Sequence, residues 1–140
     1  MSDFRELIDI RAATPEDYNF IRATFMRGVY YGNSWFEMMP KDVFMRHYKT
    51  VIENFLTSPS CAIRVASPKN EPDLIIGYSI LSKDFSIVHW VYVKKDWRGK
   101  KVGKALLPSA PTSVSHLTDA LKDVLKTKYP NTIFNPFKLE

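Results

Sequence analysis

The chain opens on an alternation in which Ile8, Ile10 and Ala12 are apolar and Asp9 and Arg11 are charged. A period of two predicts a short first strand. Thr14-Pro15-Glu16-Asp17 then reads as a helix start. Threonine caps, proline takes the first turn, and Asp17 can reach back as a short capping box. Ile21, Thr24, Phe25 and Gly28 fall on one face of that helix, and residues 28–33 are expected to break it. Pro40 and Asp42 open a second helix with Phe44, Tyr48, Val51, Ile52 and Phe55 on one side. Ser58-Pro59 ends it.

Three strands follow. Residues 61–66 form one, and residues 67–73, with two prolines and an asparagine, form a loop. Residues 74–81 complete a hairpin. A brief turn at Lys83-Asp84 leads into a third strand over residues 86–93. The helix opening near Lys101 is stopped early by Pro108 and Pro111. Residues 113–117 read as a short strand. Thr118 caps a helix whose Leu121, Val124 and Leu125 share a face, and Tyr129-Pro130-Asn131 turns the chain into a last strand over residues 132–139. Pro136 makes that strand an edge or a bulged one.

Composition narrows the class. A chain of 140 residues is long enough for one domain with a real core, expected to span residues 1–140. No apolar run is long enough to span a membrane, and the first residues show no signal-peptide core. The single cysteine, Cys61, excludes an internal disulfide, and no Cys/His cluster suggests zinc. The expectation is a cytoplasmic protein with no metal and no membrane partner.

Charge sharpens the picture. Six of the eleven residues at 94–104 are basic and only Asp96 is acidic, while the rest of the chain carries fourteen basic and fourteen acidic residues. The formal charge of +5 therefore resides in one loop. The loop follows the apolar run Ile87-Val88-His89-Trp90-Val91-Tyr92-Val93 and contains Gly99 and Gly103. A strand feeding a basic, glycine-bearing turn that opens a helix suits phosphate binding, because amide N–H groups, the helix dipole and lysines all favour an anion. The bland alternative is a solvated loop with no ligand. Concentration in one loop argues for a local anion site rather than a broad nucleic-acid face.

The element order and this loop resemble the GNAT superfamily of acyl-CoA N-acyltransferases, in a small divergent form that a phage-type member would also take. The order covers nearly the whole chain, and the specific support lies in residues 91–106. The family loop reads Q/R-x-x-G-x-G/A; here it is Arg98-Gly99-Lys100-Lys101-Val102-Gly103. Arg98 and Gly103 fit, and Lys101 stands where the first family glycine falls. The resemblance implies an α+β, three-layer fold: a mixed, mostly antiparallel twisted sheet of about six strands flanked by about four helices. It implies acetyl-CoA or another acyl-CoA as co-substrate. Val91 and Val93 would hold the pantetheine arm, and Arg98, Gly99, Lys100, Lys101, Val102, Gly103 and Lys104 the phosphates. Lysine suits that position only if it needs no positive φ and the side chain can point away or onto a phosphate.

Direct acyl transfer needs a route for the amine proton and a donor for the departing thiolate. The family base often lies on the strand before the loop, frequently as glutamate; this strand has no carboxylate, which makes His89 the candidate base. Strand alternation puts His89 on the face of Ile87, Val91 and Val93. Its alternative is a buried histidine bonded to a carbonyl. Ser115 and His116 precede the last helix near an acceptor entrance, though Ser115 or Thr118 can simply cap that helix. The family's thiolate-protonating tyrosine has no counterpart inside the last helix, and Tyr129 at its end is the candidate. Tyr31, Asn33 and Trp35, in the connection between the first two helices, are candidates for the acceptor site, with ordinary core packing as the alternative.

Three functions compete. The first is an acyl-CoA-dependent N-acyltransferase, most simply an acetyltransferase, passing the acyl group by direct attack in a ternary complex to an amine of a small molecule or protein. The second is a nucleic-acid base modifier resembling phage Mom proteins, with nucleic acid as partner. The third is a catalytically degenerate GNAT scaffold used for binding or assembly. Either a monomer or a homodimer paired at the last strand is compatible with the sequence.

Overall fold

The computed structural model describes residues 7–116 and 118–136. Its framework is one six-stranded sheet in simple order: β1 (Ile8–Ala12), β2 (Cys61–Pro68), β3 (Gly77–Ser82), β4 (Ile87–Val93), β5 (Ser113–Val114) and β6 (Ile133–Phe134). The first four strands pair antiparallel, whereas β4–β5 and β5–β6 pair parallel. The mixed, mostly antiparallel sheet that the family resemblance implies is therefore present. Helices α1 (Tyr18–Gly32) and α2 (Lys41–Thr57) cover one face. Helix α3 (Val102–Leu106) packs on the other, as does α4 (Asp119–Lys128) through Leu125. The result is a three-layer α+β fold.

Each layer follows from the apolar pattern. Ile21, Phe25 and Val29 of α1 and Phe44, Ile52 and Phe55 of α2 meet Val65, Tyr78, Ile80 and Trp90 of the sheet. Val102 and Leu106 of α3 meet Ile8, Ala66 and Ile76 on the opposite face. Burying side chains of this size contributes on the order of 1.5–3 kcal/mol each. Tyr78 in the central strand is fully buried, and its hydroxyl lies 2.8 Å from Thr24 Oγ1 and donates to Ile21 O at 3.2 Å. The α1 start is built as its sequence suggests. Thr14 N donates to Asp17 Oδ2 at 2.8 Å, and Arg11 reinforces the carboxylate at 2.7 Å. That bidentate guanidinium holds Asp17 below the usual carboxylate range.

Several boundaries differ from expectation. Helix α1 does not break at Gly28 but continues to Gly32. Gly28 is a contact glycine: a Cβ there would lie 2.6 Å from Trp90 Cζ2, so its absence lets the helix sit close to the sheet. Strand β2 runs on to Pro68, and β3 starts only at Gly77, because Leu74 lies after a turn closed by its amide on Glu71 O. Strand β5 is two residues long, and of the last predicted strand only Ile133–Phe134 is paired; residues 137–139 lie outside the described residues. No described helix is long and apolar enough to cross a membrane.

Candidate active site

Strand β4 organises the site through one irregularity. Ile80 faces Trp90, but Leu81 faces Val88, so His89 is an extra residue in the ladder. This is a β-bulge, and it reverses the side-chain alternation. His89 and Trp90 consequently both turn toward the α1–α2 layer, while Val91 and Val93 face α3. The expectation that His89 shares a face with Val91 and Val93 is corrected on this point. The imidazole is fully buried and stacks on Phe55 of α2, with ring centroids 4.7 Å apart and planes at 27°.

The bulge delivers His89 to a buried polar chain. Its Nδ1 lies 2.7 Å from Ser115 Oγ, and that oxygen lies 3.0 Å from Nδ1 of His116. Ser115 has a single hydroxyl proton and two lone pairs, so it can donate to at most one ring, and at least one of the two imidazoles donates its Nδ1–H to the hydroxyl oxygen. Burial pushes both imidazoles down to about 4, so both are neutral at physiological pH. Thr118, not Ser115, caps α4: its hydroxyl accepts from Leu121 N at 3.1 Å.

Just past the bulge the sheet opens. Pairing with β5 covers only Ile87 and Val88, and Ser115 N donates to Val88 O at 3.1 Å. β4 continues alone on that side to Val93. Lys94 N donates to Ile76 O while Val93 stands opposite Gly77, so the ladder bonds to β3 fall at Tyr92 and Tyr78. The amide groups of Val91 and Val93 therefore point away from β3 into the opening. Val93 O there accepts Arg98 Nε at 2.9 Å, which ties the loop to the strand.

Two cavities lie along this opening and share Val91, Val93, Leu121 and Val124 as walls. One, of about 740 Å³, adds His89, His116, Arg98, Arg27 and Tyr31. The other, of about 970 Å³, adds Gly103, Lys104, Lys128 and Tyr129. Histidine pair, bare strand backbone, basic loop and Tyr129 thus border one cleft system.

The loop keeps the backbone of a glycine-rich turn while departing from its composition. Gly99 has φ +77°, with open space around it, and Lys101 has φ +65°. The condition that this position need no positive φ is not met: Lys101 occupies a left-handed conformation that glycine adopts more easily. Buried Val102 and Leu106 pin the following helix, whose last carbonyl accepts from Ser79 Oγ at 3.0 Å. Lys100, Lys101 and Lys104 are exposed, and Lys100 Nζ lies 5.6 Å from the Trp97 ring centroid.

The aromatic connection divides. Tyr31 is exposed and lines the histidine-side cavity. Asn33 is buried and donates from Nδ2 to Val29 O at 3.3 Å, and Trp35 stacks on Phe36 at 4.1 Å; neither lines that cavity. Arg27 is a lining residue that sequence reasoning did not single out. Its one sequence signal is position, one helical turn before Tyr31. Among the described residues no group of three or more His, Cys, Asp or Glu side chains is placed to hold a metal.

No family model matches the sequence, and no curated protein matches it. Solved structures do. A possible acetyltransferase from Clostridium difficile 630 matches with a TM-score of 0.51 at 16% identity, over 94% of this chain and 81% of that one. A GCN5-related N-acetyltransferase (aminotransferase, class II) from Rhodopseudomonas palustris gives 0.51 at 17%, over 86% and 66%. A protein described as histone acetyltransferase HPA2 and related acetyltransferase, from Corynebacterium glutamicum ATCC 13032, gives 0.51 at 17%, over 71% and 67%. At these identities the likeness is one of architecture: the chain has the GNAT acetyltransferase fold.

Proposed function

We propose that this chain is an acyl-CoA-dependent N-acyltransferase, with acetyl-CoA as the simplest donor. The observation that carries this reading is the parting of β4 from β5 after a bulge, which leaves Val91 and Val93 backbone facing a cleft that ends at the basic loop. An extended pantetheine arm can pair with that backbone as a missing strand would. The donor's phosphates fall to the loop amides and to Lys100, Lys101 and Lys104, where exposed lysines add favourable charge.

In the ternary complex the amine nitrogen attacks the thioester carbonyl, the oxyanion collapses, and the C–S bond breaks. The amine proton passes to the neutral imidazoles, and Ser115 transfers it between their Nδ1 atoms. Tyr129, on the α3 side of the cleft with Val91 and Val93, is the donor for the leaving thiolate. Binding and orientation supply the rest of the acceleration.

Isothermal titration with acetyl-CoA, and with 3′-dephospho-CoA for comparison, tests the donor site. Saturable micromolar binding is expected, weaker without the 3′-phosphate. No heat at millimolar ligand overturns the reading. Binding with no turnover of any amine leaves the degenerate scaffold as the better description.

A further inference from the structure

The acceptor end of the cleft has a charge pattern of its own. Among the described residues, none lining the histidine-side cavity is Asp or Glu. Its histidines are neutral, and its fixed charges are Arg27 and Arg98. A polycationic amine would enter such a cavity against like charge, with no carboxylate to hold it.

Arg27 and Tyr31 also line a second hollow, a groove of about 540 Å³ between α1 and α2. Arg22, Lys41 and Lys49 continue it, and Glu53 is the single carboxylate among its lining residues. Glu53 is committed to a bidentate pair with Arg22. Lys41 Nζ sits 5.6 and 5.7 Å from the centroids of Tyr30 and Tyr31, and donates to the Tyr31 hydroxyl at 3.4 Å. The groove therefore presents Arg27 and Lys49 beside an aromatic wall, and it shares Arg27 and Tyr31 with the cavity that holds the histidine pair.

Resting on the acyltransferase reading, we infer that the acceptor is an amine carrying an anionic group, a carboxylate or a phosphate, close to its nitrogen. Arg27 grips that anion at the junction of groove and cavity, and Lys49 extends the positive field. The nitrogen is thereby directed into the cavity beside His89 and His116, whose described lining residues include no Asp or Glu.

Matched probes test this: O-phosphoethanolamine against ethanolamine, and glycine against methylamine. The first readout is independent of turnover. In NMR titrations of the 15N-labelled protein, the Arg27 Nε–Hε signal should shift saturably with at least one anionic probe and not with its neutral mate. Arg27→Gln should weaken that binding at least tenfold, and Arg46→Gln, outside the groove lining and paired with Asp42 at 3.8 Å, should not. Which pair responds separates phosphate from carboxylate. With acetyl-CoA, kcat/KM should favour the anionic member at least tenfold, and Arg27→Gln should collapse that ratio. Equal or tighter binding of the neutral probes overturns the inference even if acetyl-CoA binds. Anion binding at Arg27 without acetyl-CoA binding sustains the anion site and sinks the acyltransferase reading instead.

Discussion

His89 Nδ1 lies 2.7 Å from the hydroxyl of Ser115, across the seam where β4 and β5 separate. The contact joins the bulge to the segment leading into α4, and both groups are buried. Removing the hydroxyl leaves two Nδ1 atoms without their partner. Ser115→Ala should therefore cost about 1–3 kcal/mol of stability, the range for a buried polar group left unpaired. Turnover should fall by about 10²-fold or more if the chain carries the amine proton. Urea unfolding and steady-state rates on the same preparation check both effects. Undiminished turnover in a folded Ser115→Ala protein would remove the relay from the mechanism.

The two imidazoles make the fold acid-sensitive in a defined window. Both sit at about 4 in the folded chain, against an ordinary value of 6.5. Between those values the unfolded chain binds protons that the folded chain refuses, so stability falls as pH drops from 6.5 toward 4. Each histidine adds up to about 1.4 kcal/mol per pH unit. Asp17, held low by Arg11, keeps its stabilising contribution across this window and loses it only at more acid pH. Urea midpoints measured from pH 7 to 4 should decline, and His89→Gln should flatten the decline. A constant midpoint over that window would contradict the buried neutral pair.

The bulge also marks where reading the sequence stopped. Apolar alternation and cap signals gave the order of the elements, the capping box at Asp17 and the threonine cap of α4, because these depend on neighbours in the chain; the three layers followed only from the resemblance of that order to a known family. The orientation of His89 depends on one extra residue opposite Leu81, which no local period carries. Gly28 was misleading for a related reason. Its role is to make room for Trp90, a residue of the sheet, so it looks like a helix breaker until the partner is in view. The loop was legible as a basic turn, but the positive φ of Lys101 was not, since lysine conceals a conformation that glycine advertises. Arg27 stayed hidden because an exposed arginine on a helix has no pattern until two cavities meet at it.

Lys101 sets charge against conformation. Lysine at φ +65° carries a steric cost on the order of 1–2 kcal/mol that glycine avoids. Lys101→Gly should raise stability by about 1 kcal/mol, less the greater entropy of a glycine in the unfolded chain. It should also weaken acetyl-CoA, because one positive charge leaves the loop, and the deficit should shrink at high salt. Thermal unfolding and titration at two ionic strengths separate the effects. Lower stability in the glycine variant would mean that the lysine side chain makes a compensating contact.

Gly28 and Trp90 offer a test of how closely α1 rides on the sheet. A methyl group on Gly28 would meet the indole at 2.6 Å, and a Trp90 ring displaced by it would intrude on the cavity both residues line. Alanine gains up to about 1 kcal/mol over glycine in helix propensity, whereas overpacking costs about 1–3 kcal/mol. The clash should win, so Gly28→Ala alone should be destabilising. In a Trp90→Phe background the six-membered ring of the indole is gone, and the same alanine should become neutral or stabilising. The double-mutant cycle should then show a coupling of at least about 1 kcal/mol between the two sites. Additive effects would mean that helix and strand are not in the contact described, and the position of the histidine-side cavity they line would have to be redrawn.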